Sequence, residues 1–326
     1  MSPTMKAIIA SDFGPLEQLQ YGDWPEPVAE GRMVVVEAEA IGVNFPDGLL
    51  VQGLYQMKPP VPFVPGMEVA GRVVAVGADV TSVAVGDRVA ALLTLGGYAE
   101  RVSVHEGSVM KLPTDVTAED ACALMVGYGT SHYALKQRAN LQAGETLCVL
   151  GAAGATGIAA IQIGKAMGAN VIAVASSEEK RQVAADAGAD VVLGYDNLKD
   201  DLKEATGGKG VDVAFDPVGG DAFDTLSRSM AWEGRLLVIG FASGTIPKLP
   251  VNLTLVKGYS VVGVFWGAFT QKQAKDYAEN MKELIGWHLA GKVSPVIEGV
   301  YALAEAPKVL ERVLGRGATG KIILRP

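Results

Sequence analysis

The chain has 326 residues, 49% of them hydrophobic, which is enough for two domains with sizeable cores. Its formal net charge of -8 argues against a nucleic-acid partner, because an acidic surface repels phosphate backbones. No apolar run is as long as a membrane span, and two cysteines cannot form a disulfide framework.

The first 120 residues consist of short strand-like runs broken by glycine, a texture typical of a partly open β-barrel. The runs are KAIIA, MVVVEAEAIGV, AGRVVAVGADV, DRVAALLTL and YAERVSVH. Between residues 119 and 138 the apolar residues recur at helical spacing instead. We therefore end the first domain at residue 120.

Cys122 and Cys148 both lie in apolar surroundings, ACALMV and LCVLG. This favours two small buried side chains in a reducing compartment. We expect a cytoplasmic protein without a membrane anchor.

From Thr146 onward, apolar strand candidates begin near residues 146, 170, 190, 212, 235 and 260, and helix-length segments separate them. Continuous apolar strands at this interval predict βαβ units and a parallel sheet that is covered on both faces. Six such strands make a doubly wound Rossmann domain, which we assign to residues 121–267.

After Gly267 the pattern is helical, then VIEGVY, a second helix and the closing strand GKIILR. This tail is too short for a domain of its own. We expect residues 268–326 to complete the barrel domain, so that the Rossmann domain is an insertion.

The stretch LCVLGAAGATG joins a buried strand to a helix through small residues. It has the A-x-G-x-x-G form of the dinucleotide fingerprint, in which bare backbone approaches a pyrophosphate at a helix N-terminus. Close packing of helix on sheet explains small residues equally well when the turn is considered alone. Its place between two strands favours a cofactor site, formed by Ala153, Gly154, Ala155, Thr156 and Gly157.

The end of the second strand, AVASSEEKR, indicates which dinucleotide binds. NAD sites usually carry Asp or Glu there, whereas a 2′-phosphate needs hydroxyl groups and cations. Ser176 and Ser177 provide hydroxyls, and Lys180 and Arg181 provide charge, so NADPH is predicted. A local interpretation also holds, in which Ser176 and Glu179 form a capping box and the cations lie on a solvated helix face.

Several motifs in order resemble the medium-chain dehydrogenase/reductase superfamily over essentially the whole length, and within it the zinc-independent quinone oxidoreductases related to zeta-crystallin. The motifs are AIGVNFPDGLLVQGLY, PFVPGMEVAGRVVAVG, VGDRV, GGYAE, the glycine turn and TGKIIL. The resemblance implies a GroES-like barrel domain and a homodimer that pairs through the last strand of the Rossmann sheet. Phe265 and Trp266, beside that strand, are expected at an interface or hinge, or in the acceptor pocket.

Zinc-dependent relatives carry a cysteine where Asn44 stands and a histidine where Met67 stands. They also have a four-cysteine lobe, which two cysteines cannot form. We predict no catalytic zinc. Without a Lewis acid, the acceptor must take hydride readily or have its developing charge stabilised by hydrogen bonds, as quinones and conjugated carbonyls do.

The resemblance implies that Asn44, Asp47 and Tyr55 lie at the substrate end of the cleft, near the nicotinamide. The alternatives are capping or turn formation for the first two and packing for Tyr55. Leu49 replaces a second tyrosine of some relatives, which weakens the case for quinones.

Further cofactor contacts are expected on the helix and strand ends that surround the nucleotide. They are Thr130 on the interdomain helix, Gly240, Phe241 and Ser243 in IGFASG, and Tyr195, which resembles a family tyrosine near the 2′-phosphate. Core packing is the alternative for Phe241 and Tyr195.

These features together predict an NADPH:quinone oxidoreductase. Within the enzymes, the alternative is a reductase of α,β-unsaturated carbonyls or enoyl thioesters. A third alternative, from another class, is a crystallin-like protein that binds NADPH without catalysis.

Overall fold

A computed structural model describes residues 3–326. Within that range the chain forms fifteen strands: β1 Thr4–Ile9, β2 Gln20–Pro25, β3 Met33–Val43, β4 Glu68–Val76, β5 Arg88–Leu92, β6 Arg101–His105, β7 Val109–Lys111, β8 Thr146–Leu150, β9 Asn170–Val174, β10 Val191–Leu193, β11 Val211–Asp216, β12 Met230–Val238, β13 Ser260–Gly263, β14 Ile297–Ala302 and β15 Lys321–Arg325.

Eleven α-helices are found in the same residues: α1 Phe45–Val51, α2 Ala118–Ala123, α3 Gly129–Tyr133, α4 Ala155–Ala166, α5 Glu178–Asp186, α6 Leu198–Ala205, α7 Asp221–Ser229, α8 Val251–Lys257, α9 Trp266–Lys272, α10 Ala274–Leu289 and α11 Ala306–Leu314. Two π-helical segments, Leu124–Tyr128 and Ala134–Arg138, follow α2 and α3.

The chain divides into two compact units. The first, the barrel unit, consists of residues up to Val126 together with Ile297–Pro326. The second, the nucleotide unit, is Gly127–Val296. The sequence analysis placed the divisions after residues 120 and 267, so residues 121–126 and 268–296 are assigned differently by the structure.

Packing explains why both boundaries between the units differ from those predicted. The thiol of Cys122 on α2 donates to the carbonyl of Ala40 on β3, 3.4 Å away, which holds α2 in the barrel unit. In the nucleotide unit, Phe269 on α9 stacks on Tyr133 with ring centroids 4.0 Å apart. His132 on α3 bonds Glu283 on α10 at 2.9 Å, so the amphipathic helices after residue 267 cover the nucleotide unit rather than the barrel.

The nucleotide unit contains the predicted six-stranded parallel sheet, in the order β10-β9-β8-β11-β12-β13. The chain runs outward from the central β8 to β10, then returns to β11 on the other side. This reversal confirms the doubly wound fold. It leaves the carboxyl end of β8 beside the point of reversal, where ligands of such sheets bind.

Helix α4, which follows β8, is buried over most of its length by residues such as Ile158, Ile161 and Ile163. A helix that is apolar all round is expected where it is covered by the sheet on one side and by other helices on the other. Burial of each such side chain contributes roughly 1.5–3 kcal/mol.

The barrel unit contains a seven-stranded sheet, with β14-β15-β3-β4-β5-β7 as its path and β6 paired with β3, and a separate pair of β1 and β2. The last strand β15 lies antiparallel beside β3, with Ile322 opposite Val43. The chain from Ile297 onward therefore completes the barrel unit through β14, α11 and β15, whereas the sequence analysis assigned all of residues 268–326 to it. This pairing brings residue 321 beside the end of β3, where Asn44 follows.

Trp266 differs from the expectation of an interface position, whereas the expectation for Phe265 stays a prediction. Trp266 is buried within the nucleotide unit, against Gly129 and edge-on to Tyr277 at 5.8 Å. Phe265 is exposed. Among residues 3–326 no helix combines the length and apolarity that crossing a bilayer requires.

Candidate functional site

The glycine turn after β8 uses three glycines for different purposes. Gly151 turns the chain at a φ of +57°, which favours glycine. A Cβ at Gly157 would overlap the carbonyl oxygen of Gly151, so Gly157 is needed for close packing of α4 on the turn. Gly151 takes the tight-turn role that the fingerprint assigns to its first glycine, one residue before the alanine that begins the A-x-G-x-x-G form.

Gly154 is not required by packing. Its backbone φ is -79°, and a Cβ there would meet only the Gly151 carbonyl oxygen, at an ordinary 3.4 Å. As the N-cap of α4, it has no side chain to accept from the amides of the first turn. The turn thus offers bare backbone and a helix N-terminus, which fits a phosphate group.

Helix α3 lies beside this turn. The hydroxyl of Ser131 donates to the carbonyl of Thr156 at 2.8 Å, and the half-buried Thr130 is the preceding residue. Helix α3 thus packs beside the first turn of α4, in which Ala155 is half-buried, and Ala153 before it is buried.

Ser176 and Ser177 follow β9 after Ala175 and are exposed. The predicted capping box is wrong by one residue: Ser177 is the N-cap of α5, and its hydroxyl accepts from the Lys180 amide at 3.3 Å. The Arg181 guanidinium donates to the exposed Glu178 carboxylate at 2.7 Å. Two hydroxyls and two cations are thus grouped here, with one carboxylate paired to Arg181.

Tyr195 follows β10, and its hydroxyl accepts from the Gly151 amide at 3.0 Å. Because β9 lies between β8 and β10 in the sheet, this bond carries the phenol ring across the carboxyl end of β9. Tyr195 therefore connects the glycine turn to the strand end where Ser176 and Ser177 stand.

Two further loops meet at the carboxyl ends of β11 and β12. The Asp216 carboxylate accepts from the amides of Val218 and Gly219, both at 2.8 Å. A Cβ at Gly219 would lie 3.1 Å from the Phe241 ring, and one at Gly220 would lie 3.0 Å from the Ser243 hydroxyl. Burial raises the pKa of Asp216, and the two amides oppose this shift.

Gly240 begins the second of these loops, and its amide donates to the Asp216 carbonyl at 3.4 Å. Phe241 is exposed, which excludes core packing as its explanation. Most of the residues that the sequence analysis predicted for the cofactor thus lie at one edge of the sheet, on the loops after β8, β9, β10 and β12 and in the first turns of α4 and α5.

In the barrel unit, β3 ends at Val43, and Asn44 and Asp47 begin α1. The backbone N–H of Asn44 donates to Asp47 Oδ2 at 2.9 Å. The capping role that was the alternative for these residues is therefore performed by the Asp47 carboxylate. The side chain of Asn44 makes no hydrogen bond to the first turn of α1.

That side chain lies between two buried charges. Asn44 Oδ1 accepts from Lys321 Nζ at 2.7 Å, and Asn44 Nδ2 donates to Glu68 Oε1 at 2.9 Å. Lys321 also forms an ion pair with Glu68. Asn44 is 8% exposed, Lys321 2% and Glu68 0%.

Asp47 is fully buried. Its Oδ2 also accepts from the Tyr98 hydroxyl at 2.9 Å, while Oδ1 has no hydrogen-bond partner among the described residues. Burial raises the pKa of Asp47 to about 7, and the bonds from Asn44 and Tyr98 oppose this shift. The carboxyl group can therefore hold a proton near neutral pH.

Tyr55 is half-buried and packs on the barrel core, so packing accounts for part of its surroundings. Burial raises the pKa of its hydroxyl, and the Asp47 charge adds to the shift. Leu49 and Met67 are half-buried as well. In residues 3–326, no three or more His, Cys, Asp or Glu side chains are grouped as metal ligands would be.

The sequence analysis missed Glu68, Tyr98, Lys321, Gly151 and Asp216. Glu68 and Lys321 did leave a signal, since each is a single charged residue within an otherwise apolar strand motif, GMEVAG and GKIIL. A charge in a buried strand is almost always paired, but pattern alone does not identify the partner.

Comparison with known proteins gives two family matches. Residues 30–114 match the family described as "Alcohol dehydrogenase GroES-like domain", and residues 155–285 match "Zinc-binding dehydrogenase". The first match confirms the predicted GroES-like character of the barrel unit.

Three similar proteins cover almost the whole chain. Quinone oxidoreductase-like protein 2 of Rattus norvegicus is 39% identical over 303 residues, which is 92% of this chain and 86% of the relative. A mycobacterial protein solved with NADPH has a TM-score of 0.93 at 33% identity, covering 99% of this chain and 100% of that one. Escherichia coli quinone oxidoreductase, also solved with NADPH, has a TM-score of 0.91 at 28% identity over 99% and 100%.

Proposed function

Because this chain belongs to the quinone oxidoreductase family of the medium-chain dehydrogenases/reductases, we propose that it is an NADPH-dependent reductase whose electron acceptors are quinones. Bound NADPH supplies a hydride. The chain's own residues must bind the dinucleotide, bind the acceptor, and stabilise the negative charge that appears on the acceptor oxygen.

In this proposal, the backbone of the glycine turn from Ala153 to Gly157 holds the pyrophosphate. The open backbone at Gly154 and the uncapped first turn of α4 support this role. Thr130 on α3 and the loop of Gly240, Phe241 and Ser243 hold the nicotinamide half of NADPH.

The 2′-phosphate of NADPH is bound by Ser176, Ser177, Lys180 and Arg181, with Tyr195 beside them. The grouping of these hydroxyls and cations after β9 supports the preference for NADPH over NADH. Lys180→Ala should erase much of the affinity gap between the two dinucleotides. Lys203→Ala, which removes one positive charge from the exposed face of α6, is the matched control.

The buried amide of Asn44 is the observation that carries the acceptor side of the proposal. Its Nδ2 has two hydrogens, one of which is bonded to Glu68. The other donates to the acceptor oxygen, with Tyr55 as a second donor and Asp47 as a group that can hold a proton.

We further propose that the reaction needs no zinc. Asn44 stands where zinc-dependent relatives have a cysteine, and the Lys321 ammonium lies 2.7 Å from its Oδ1. The ammonium already occupies the amide oxygen, which is the only atom of the Asn44 side chain that could ligate a metal. Activity should survive dialysis against a chelator, and metal analysis should find less than one equivalent.

The substrate class is tested with a panel of acceptors, in which NADPH oxidation is followed with 1,4-benzoquinone, an enone of similar size and an enoyl thioester. We expect the quinone to react fastest. The half-buried apolar Leu49 favours the second candidate, reduction of conjugated carbonyls, and a faster enone would select it. NADPH binding without turnover of any acceptor would instead indicate the non-catalytic role.

We also propose a homodimer that pairs through the nucleotide unit. Strand β13 is at the edge of its sheet, and apolar side chains are exposed on and beside α8: Trp232, Ile246, Val251, Leu255 and Val256. Leu255→Glu should convert the dimer to a monomer in sedimentation velocity experiments.

We also propose that the protein is cytoplasmic. Cys122 and Cys148 are buried free thiols, which favours a reducing compartment.

A further inference from the structure

We propose that Lys321 is a positioning residue for the reduction, which acts through the side chain of Asn44. It holds the Asn44 amide in one orientation and polarises it, so that the remaining N–H becomes a stronger donor to the acceptor oxygen. The inference rests on the proposed role of Asn44 and adds to it a residue 277 positions away in the chain.

The orientation of the Asn44 amide follows from its two neighbours. An ammonium group can only donate, so the amide oxygen must face Lys321, 2.7 Å away. The Glu68 carboxylate accepts, so the amide nitrogen must face Glu68, 2.9 Å away. Rotation of the amide by 180° would set donor against donor and acceptor against acceptor. One N–H bond is thereby directed away from both charges.

Glu68 is itself held in place. Its second oxygen, Oε2, accepts from the Val126 amide at 2.9 Å, and Gly42 leaves the space that its carboxylate occupies. A Cβ at Gly42 would overlap that carboxylate. The arrangement of Lys321, Asn44 and Glu68 is therefore built into the backbone around it.

The burial of Lys321 and Glu68 argues for a role beyond stability. Removing two charges from water costs free energy that their mutual attraction often fails to recover, so buried ion pairs are a weak source of stability. In a site of low dielectric constant, however, a charge polarises the hydrogen bonds next to it. Lys321 and Asn44 form such a contact, with exposed fractions of only 2% and 8%.

The chemistry of the amide links this contact to the reaction. A cation at the amide oxygen draws electron density from the nitrogen, which makes the remaining N–H a stronger donor. As the acceptor gains a hydride, negative charge develops on its oxygen, and this N–H stabilises that charge. The oxygen then takes a proton from solvent. Lys321 neither gives nor takes a proton, so its contribution is electrostatic.

The test is a cycle of four proteins: the wild type, Asn44→Ala, Glu68→Gln/Lys321→Met, and the combination of all three changes. The double variant removes both charges together, so no uncompensated charge stays buried. The rate of hydride transfer is measured by stopped-flow for each, together with NADPH affinity and the thermal melting curve.

Loss of one oxyanion donor lowers rates by about 10²–10³-fold, so Glu68→Gln/Lys321→Met should slow hydride transfer by at least about tenfold. In the Asn44→Ala background the same two changes should alter the rate by less than about twofold, because Lys321 acts through Asn44. NADPH affinity should be unchanged in all four proteins.

The acceptor series separates polarisation from general damage. Poor acceptors, which depend most on stabilisation of the oxygen, should lose more rate than benzoquinone does. Arg32→Gln/Glu106→Gln removes another ion pair of the barrel unit, one joined at 2.8 Å, and should leave rates unchanged. Equal slowing of all acceptors overturns the proposal.

Other outcomes are equally decisive. If the double variant slows the reaction as much without Asn44 as with it, Lys321 does not act through Asn44 and the inference fails, while the proposed function stands. If Asn44→Ala has no effect on any acceptor, the role of Asn44 and this inference both fail. If the double variant does not fold, Glu68→Gln/Lys321→Gln, which also leaves no charge buried, replaces it and must meet the same criterion.

Discussion

The two units build their candidate sites in opposite ways. The nucleotide unit uses backbone amides and small residues from one continuous turn, with a few side chains from neighbouring strand ends. The barrel unit uses buried charged and polar side chains from residues 44, 68 and 321, which the pairing of β3 with both β4 and β15 brings together. A site built from backbone depends on the space that glycine leaves, and a site built from charges depends on keeping every partner.

The largest expected effect tests whether breaking a buried ion pair costs more free energy of unfolding than breaking a half-exposed one. Lys321→Met should lower the free energy of unfolding by about 3–5 kcal/mol, because Glu68 would stay buried without a counter-charge. Lys165→Met breaks a half-exposed pair with Asp190 in the nucleotide unit and should cost less than about 1 kcal/mol. Urea unfolding measures both, and equal losses would contradict the contrast.

A pH effect of somewhat smaller size is expected from Asp47. Its folded pKa of about 7 lies above the ordinary 3.8, so the folded protein keeps a proton that the unfolded chain releases. The contribution to stability is complete below about pH 4, is lost as the pH rises to about 7, and amounts to about 4 kcal/mol. Asp47→Asn does not titrate, and its stability relative to wild type should rise over this range in urea unfolding. If the difference in stability between Asp47→Asn and the wild type stays constant over this pH range, Asp47 is ionised in the folded protein.

The nucleotide unit should respond to pH in the opposite direction. Burial lowers the pKa of His132 from 6.5 to about 4. Its stabilising contribution is present above pH 6.5 and lost as the pH falls to about 4, with a total of about 3 kcal/mol. The stability of wild type relative to His132→Gln should therefore fall on acidification. Amide hydrogen exchange in α3 and α10 localises the loss, and an unchanged difference between pH 7 and 4.5 would contradict it.

Two glycine substitutions should separate packing from ligand binding within one turn. Gly157→Ala should destabilise the protein by about 1–3 kcal/mol, because its Cβ would overlap the Gly151 carbonyl. Gly154→Ala should change stability by less than about 1 kcal/mol but weaken NADPH binding at least about tenfold, since its Cβ projects where the pyrophosphate approaches. Thermal melting and fluorescence titration distinguish the two. If Gly154→Ala binds NADPH as tightly as the wild type does, the pyrophosphate does not lie against Gly154.

The smallest expected effect concerns Glu178, which pairs with Arg181. Glu178→Gln frees Arg181 and removes a negative charge from the proposed 2′-phosphate site. NADPH affinity should therefore rise a few-fold, which corresponds to less than about 1 kcal/mol of binding free energy. Glu179→Gln makes the same change of charge on the neighbouring residue and is the control. An equal rise in both would attribute the effect to net charge rather than to release of Arg181.

Much of the nucleotide unit was predictable because its signals are local. The spacing of apolar runs predicted all six strands, and the small residues after Leu150 predicted the turn that joins β8 to α4. The cap of α5 was wrong by one residue, since Ser176 and Ser177 are equally suitable in composition and only the backbone of Ser177 places its hydroxyl at the first turn.

The barrel unit was less predictable. Asn44 was identified through resemblance, but Glu68, Tyr98 and Lys321 were not, because a hydrogen bond between residues far apart in sequence leaves no periodic pattern. The division at residue 268 failed for a similar reason: the amphipathic pattern of α10 requires a covering surface but does not say which unit provides it.

The sequence by itself determined the order of the strands in the nucleotide unit, the small-residue turn between β8 and α4, and the group of hydroxyls and cations after β9. These depend on neighbours along the chain, through backbone conformation and side-chain periodicity. Only the tertiary structure decided that Asn44 lies between Lys321 and Glu68, that Asp47 is fully buried, and that the helices after residue 267 cover the nucleotide unit. Burial and charge pairing depend on which distant segments meet, and they set the pKa values and the hydrogen-bond donors that the chemistry requires.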